Sequence, residues 1–324
     1  MTTQIKKIVT IIFVTLIFIV CLLLTFFFLH TLLEADLSLR PAYKQSPTSL
    51  DSSLYLISYA DGSEVFFRNR NILAYSALNR GVDFIYNYRR SHIEPDFIKN
   101  NPILNEPVGA GMWLWKPYLI LKTLENIPEG SLLLYADSGL LIRKPIREFI
   151  DNEFSDPGKP IMLFAYDPEM YRFAGSYASG DTFYALNCHN DKCRYGHHVW
   201  AGIVVVKNNY KSRKFIKNWL DAASDSDLLT GKNLKMPNYP EFLHHQHDEG
   251  ILSVLASRDA ELVQFVKTDK RFIEHFYTHR RKSGNQNMSL FGFTSMDLLR
   301  YERKMLNRPI IKQLRIIVQK IFEK

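Results

Sequence analysis

LLLYADSGLLI, residues 132–142, is the stretch on which the fold turns. Its apolar run, Leu132 to Ala136, lies between Glu129-Gly130-Ser131 and Asp137-Ser138-Gly139. A short apolar run bounded by turn residues reads as a buried central strand. Ligands of open α/β sheets gather beyond the carboxyl ends of the strands, so Asp137 stands where a substrate would lie. An aspartate there also caps turns and helices, and on the local string the two roles weigh about equally.

Upstream, LYLISYA (Leu54 to Ala60) ends at Asp61-Gly62 and reads as a first buried strand. The spacing predicts a helix over Glu64 to Arg80 closed by Gly81, then a second strand over Val82 to Tyr88. Helical spacing returns in Met112 to Ile127, with Pro117 fitting best near the helix start. Core packing is the ordinary role for Trp113 and Trp115. Lys116, directly after Trp115 and close to a Gly-Ala-Gly turn, is placed to meet phosphate.

Downstream, Ile161 to Asp167 and Trp200 to Asn208 read as buried strands, and Phe215 to Ser224 as an amphipathic helix. HHQHDEGILSVLAS then sets His247, Asp248 and Glu249 at the head of an apolar helix running to about Ser257. Acids in a first turn suit the helix dipole, so Asp248 and Glu249 have a purely structural explanation as well as a chemical one. His275, His279, Arg280, Arg281 and Lys282 follow in a loop of ligand and anion-binding character, and Asn287-Met288-Ser289 is a glycosylation acceptor if luminal. The tail from Pro309 to Lys324 has an apolar stripe with lysine and arginine elsewhere, fitting a packed terminal helix or one lying on an anionic membrane.

With 324 residues, 46% hydrophobic and 13% aromatic, the chain can bury one large core or two modest ones. Its net charge of +8 suits an anionic partner, but the basic residues form no long block, so nothing supports nucleic acid. Of three cysteines, Cys21 lies in the N-terminal apolar segment, leaving Cys188 and Cys193 as a close pair. Their spacing favours a disulfide or free thiols over a zinc site with His189, His197 and His198.

From Ile8 to Leu29 there is no charge, a run that meets the ~20 residues a membrane-crossing helix needs. It ends in Phe26-Phe27-Phe28-Leu29, not in the small residues of a cleaved signal. Lys6 and Lys7 before it lean towards a cytoplasmic N-terminus. The expected organisation is a tail over 1–7, a transmembrane helix over 8–29, a stalk over 30–52, a catalytic domain over 53–290 and a helical segment over 291–324.

No GxGxxG follows a strand, and there is no GxxxxGK[ST] and no G-x-S-x-G, which lowers dinucleotide enzymes, P-loop enzymes and α/β-hydrolases. Taken together, the YADSG strand, the GAGMWLWKPYLIL helix before it, and WAGIVVVKN and HHQHDEGILSVL after it resemble the GT-A-fold glycosyltransferases, distantly the glycogenin-like ones. That resemblance implies an α/β fold with a Rossmann-like, mixed, mostly parallel sheet flanked by helices. It also implies a nucleotide-sugar donor, a glycan or glycoconjugate acceptor, and Mn²⁺ or Mg²⁺ on a DxD pair. The first Asp of DxD falls on Asp137 and the second on Gly139, so a metal would rest on Asp137 with His279 or His275. In a metal-free enzyme Lys116, Arg280, Arg281 and Lys282 would neutralise the diphosphate. Ala201 and Gly202 match the donor segment, Ser138 joins Asp137 among the donor-binding residues, Tyr59 and Asp61 match the place of base and ribose, and Asp248 and Glu249 the acidic helix head.

Glycosyl transfer needs no dedicated nucleophile, only neutralisation of the departing diphosphate and a group that takes the acceptor's proton. Asp248 or Glu249 is that base if the reaction inverts, and the leaving phosphate can serve if it retains. The expectation is thus a hexosyltransferase-type, type II membrane enzyme of the Golgi, or a bacterial inner-membrane protein in the opposite orientation. Its rivals are a sugar-binding or inactive transferase-like protein, for want of the second Asp, and a metal-dependent hydrolase using His244, His245, His247 and Asp248.

Overall fold

The computed structural model describes residues 10–25, 53–78, 80–166, 173–233 and 235–278. Two compact units divide the chain, Pro41–Asn285 and a second formed by Met1–Arg40 with Gln286–Lys324. In the second unit residues 10–25 are helical and exposed throughout. The ends of the expected span, and the tail from Pro309 on, lie outside the described residues. Among the described residues no helix is long and apolar enough to cross a membrane.

In the larger unit a six-stranded sheet runs β2-β1-β3-β6-β5-β7. Its strands are β1 Leu54–Tyr59, β2 Phe84–Tyr88, β3 Leu132–Ala136, β5 Ile161–Ala165, β6 Val199–Lys207 and β7 Val263–Lys267, and a separate pair joins β4 Leu140–Ile142 to β8 Phe276–Thr278. β1 is parallel to β2 and β3, and β5 to β7, whereas β6 is antiparallel to both β3 and β5. The sheet is therefore mixed and mostly parallel, as expected, and its one reversed strand begins at the edge where β3 ends.

The continuous apolar runs are explained by two cores, one on each face. Odd residues of β1 and β3, Tyr55, Ile57, Tyr59, Leu133 and Tyr135, enter one core; even ones, Leu54, Leu56, Leu132 and Leu134, enter the other. The odd face is covered by α2 Trp115–Asn126, α4 Tyr210–Ser224 and α5 His247–Arg258. The even face is covered by α1 Glu64–Ala77, α3 Ile146–Glu153 and α6 Lys270–His275. Asp137 continues the odd parity of Tyr135, which aims it at α2 and α5.

Several boundaries move. α1 stops at Ala77, short of Arg80, because Leu78 is already extended at ψ 127°. α2 starts at Trp115 and not at Met112, since Gly109, Ala110, Gly111, Met112 and Trp113 all have positive φ. A Cβ on Gly111 would lie 2.6 Å from the Leu104 backbone, so this crossing requires glycine. α4 begins earlier than expected, at Tyr210, where Asn209 and Ser212 exchange side-chain to backbone hydrogen bonds in a capping box. Cys188 and Cys193 form a disulfide, with Cα atoms 5.8 Å apart and both residues buried.

Candidate active site

The carboxyl end of β3 is tied to the start of β6: the Asp137 amide donates to the Gly202 carbonyl at 2.8 Å. The Asp137 carbonyl then accepts from the Leu140 amide at 3.1 Å, closing the turn through Ser138. Tyr135, two residues back on the same face, donates its hydroxyl to Asp137 Oδ1 at 2.5 Å. Burial first, then the Asp137 charge, pushes the Tyr135 hydroxyl well above its ordinary pKa, so it remains a neutral donor. At 35% side-chain exposure, Asp137 keeps an open side.

Lys116 enters from α2 with its side chain only 3% exposed. Its ammonium lies 2.7 Å from Asp248 Oδ2 and 3.9 Å from Asp137 Oδ1, over the rings of Tyr135 and Trp115. Burial alone would lower its pKa, but the Asp248 and Asp137 charges outweigh that and raise it. Asp248 is itself pushed up to about 6 by burial, against the pull of Lys116. The lysine expected to meet phosphate is thus turned inward in this structure, and its charge holds two carboxylates together.

α5 has no side-chain cap. Both acids of its first turn are instead used at a distance, Asp248 by Lys116 and Glu249 by the Ala201 amide, which donates to Oε2 at 3.0 Å. Tertiary partners, more than the helix dipole, decide these two positions. Gly202 is enforced by packing, because a Cβ there would lie 2.4 Å from the Trp200 ring. On the other flank Tyr59 donates to Asp61 Oδ2 at 3.2 Å and stacks on Trp115 at 4.1 Å, joining the end of β1 to the lysine helix. Burial, followed by Asp61, raises the Tyr59 pKa.

Asp137, Lys116, Asp248, Glu249, Ala201 and Gly202 are therefore brought together, with Tyr59 and Asp61 adjoining. His275 is not. Ile142 pairs with Phe276 and Leu140 with Thr278, which puts His275 at the end of β4 away from Asp137. Its ring rests on Phe149 and its Nδ1 meets the Arg271 carbonyl. His279, Arg280, Arg281 and Lys282 lie outside the described residues.

The described donors do not fit a divalent cation. Asp137 is one carboxylate with an ammonium 3.9 Å away, Asp248 is engaged by the same ammonium, and no group of three His, Cys, Asp or Glu suited to a metal occurs among the described residues. The clustered histidines of the hydrolase alternative turn to separate partners. His244 meets Tyr177 edge-on, His245 accepts from the Ser179 amide, and His247 stacks on Trp113 with Nδ1 at the Leu229 carbonyl. Burial pushes the His245 pKa down to about 4.

Two partners escape the sequence reading. Tyr135 carries a signal in hindsight, its i, i+2 spacing to Asp137 on one strand face. His198, which Cys and His crowding offers as a zinc ligand, is buried with Nε2 3.2 Å from Glu249 Oε1, and nothing local marks that pairing.

No family model matches the chain, and no curated protein matches it. Among solved structures, the galactosyltransferase LgtC, in complex with donor and acceptor sugar analogues, is 11% identical, with 76% of this chain and 94% of that one covered at a TM-score of 0.39. Mouse xyloside xylosyltransferase 1 is 12% identical over 72% and 94% of the two chains, with a TM-score of 0.38. Glucosyl-3-phosphoglycerate synthase from Mycobacterium tuberculosis, in complex with Mn²⁺ and uridine diphosphate, is 11% identical over 81% and 85%, with a TM-score of 0.35. At these identities and scores they are likenesses only and assign no activity to this chain.

Proposed function

We propose that the chain is a glycosyltransferase that moves a sugar from a nucleotide-sugar donor to a glycan or glycoconjugate acceptor, a hexosyltransferase in type. One observation carries this reading: a partly exposed carboxylate, Asp137, is held by a buried ammonium and a neutral tyrosine at the carboxyl edge of the sheet, against the Ala201-Gly202 backbone. Pre-set charges in a crevice favour a reaction whose charge separates as a sugar leaves its phosphate. Lys116 and Tyr135 fix Asp137, the α5 acids offer carboxylates to sugar hydroxyls or to the acceptor proton, and Tyr59 with Asp61 adjoin where a nucleotide would rest. The basic run Arg280, Arg281 and Lys282 is assigned to the diphosphate. Because the described donors do not fit a divalent ion, no step runs through one.

The apolar stretch Ile8 to Leu29 is assigned as a type II anchor, with the domain luminal, in the Golgi. The test of the activity is turnover by the full chain, in detergent, of a panel of nucleotide sugars with and without Mn²⁺ and EDTA. Hydrolysis or transfer of at least one donor is expected, and turnover lost in EDTA would assign Asp137 with His279 to a metal, whereas turnover kept in EDTA would assign the diphosphate to Arg280, Arg281 and Lys282. Binding without turnover favours the sugar-binding alternative that Gly139 suggests, and neither binding nor turnover overturns the reading.

A further inference from the structure

Beyond the carboxyl end of β2 the chain makes a short 3₁₀ turn, Arg90–His92, and a short helix, Pro95–Asn100. A cavity of about 550 Å³ opens there, lined by Arg90, Ser91, Ile93, Pro95, Ile98 and Lys99. Cavities of this size hold small-molecule ligands. The floor is firm, because Ile93 is buried in the core on the odd face of the sheet. Arg90 is held as well: one terminal nitrogen donates to the Leu104 carbonyl and the other to Asn105 Oδ1 at 2.7 Å. A guanidinium has five N–H donors, so three are left over.

Both acceptors are neutral, so the charge of Arg90 is not cancelled. Among the described residues no carboxylate pairs with Arg90 or Lys99, and Asp96 stands outside the lining. Of the other acids close by, Glu94 is taken by Lys122 at 2.8 Å, and Asp61 by the Tyr59 hydroxyl and the Gly62 amide. Arg70 and Arg89 add charge at the same strand end. Arg70, 4% exposed, donates to the Tyr88 carbonyl at 2.7 Å, and burial, then the Arg89 charge, lowers its pKa. The cavity thus joins uncancelled positive charge to an apolar floor. Inorganic phosphate would meet the charge and leave the floor bare, whereas a phosphate ester with an apolar chain covers both. The charge-free run from Ile8 to Leu29, assigned above as an anchor, would bring such molecules near.

We propose that this cavity binds the phosphate headgroup of an anionic membrane lipid, with the phosphate oxygens on Arg90 and Lys99 and the apolar part on Ile93, Pro95 and Ile98. The site needs neither sugar transfer nor any member of the Asp137 cluster. Calorimetric titration of the full chain in a non-ionic detergent tests it, with dihexanoyl phosphatidic acid, inorganic phosphate and uridine diphosphate as separate probes. R90Q/K99Q is expected to bind the lipid at least about tenfold more weakly than wild type, because two charge-assisted contacts are lost. I98N should weaken the lipid about threefold or more and leave inorganic phosphate unchanged, because only the lipid uses the floor. Equal lipid affinity in wild type and R90Q/K99Q would overturn the proposal. Inorganic phosphate binding as tightly as the lipid would overturn it too, since the floor would then be idle. So would an equal loss of uridine diphosphate binding in R90Q/K99Q, which would give the cavity to the nucleotide end of the crevice, where Arg90 already acts on the Tyr59 hydroxyl. If R90Q/K99Q does not fold, K99E, at an exposed position, carries the same comparison.

Discussion

An ammonium withdrawn from water costs several kcal/mol unless opposite charges meet it, and at Lys116 two carboxylates do. Lys116→Met leaves Asp248 buried without its partner, so unfolding in urea should show a loss of about 3–5 kcal/mol. Asp137 is different, because without it Lys116 still keeps Asp248 at 2.7 Å. Asp137→Ala should stay folded, lose less stability than Lys116→Met, and lose at least about 100-fold in transfer, the scale of removing one pre-set charge-stabilising group. Full activity in that variant would mean that the site lies elsewhere. The buried Asp248 also sets a pH dependence. Its carboxyl titrates at about 6 when folded and near 3.8 otherwise, so between these values the folded state holds a proton that the unfolded chain has released. Its contribution to stability is complete below about 4 and is lost as the pH rises through about 6. Asp248→Asn should flatten the stability profile across that window, measured by thermal unfolding at stepped pH.

Between elements, the ties that matter are those of β3, β6, α2 and α5. Gly202 allows the Trp200 ring to lie over the β6 backbone, and a Cβ there would come within 2.4 Å of it. Gly202→Ala should destabilise by about 1–3 kcal/mol, as overpacking does, and should lower activity because Ala201 and Asp137 share that backbone. An unchanged melting temperature would count against it. Much of this level is legible in the sequence, since strands buried on both faces are written as uninterrupted apolar runs and Asp137 follows one of them directly. What escapes it is long-range. Lys116 and Asp248 are 132 positions apart, and His198 and Glu249 stand on separate elements, so no local spacing announces either pair. Local rules also misplace Lys116, because a lysine near a helix start suits phosphate equally well until the fold supplies a nearer carboxylate. The backbone crossing from Gly109 to Trp113 is a further instance, where helical spacing continues but positive φ delays the helix.

For the whole molecule, the charge-free run from Ile8 to Leu29 sets the expected behaviour in cells. The full chain should stay with membranes through alkaline carbonate washing, and a form lacking residues 1–29 should be released. Protease added to sealed microsomes should leave the larger unit intact if it is luminal; digestion would reverse the assigned orientation.

The reversal of β6 decides what holds the rim of the crevice. Where parallel strands finish, the reversed one begins, so what reaches the rim at Ala201 is the segment between β5 and β6, with its disulfide and, among its described residues, three short helices. That segment is closed on itself by the disulfide and joined to the loop before α5 by Arg194 on Glu241 and by the Ser179 amide on His245. Ala174, Ala178, Phe183 and Leu186 of that segment lie in the same core as Ile251 and Leu255 of α5, so the backbone that delivers Ala201 to the rim is held from two sides, by β6 and by the helix that carries Glu249.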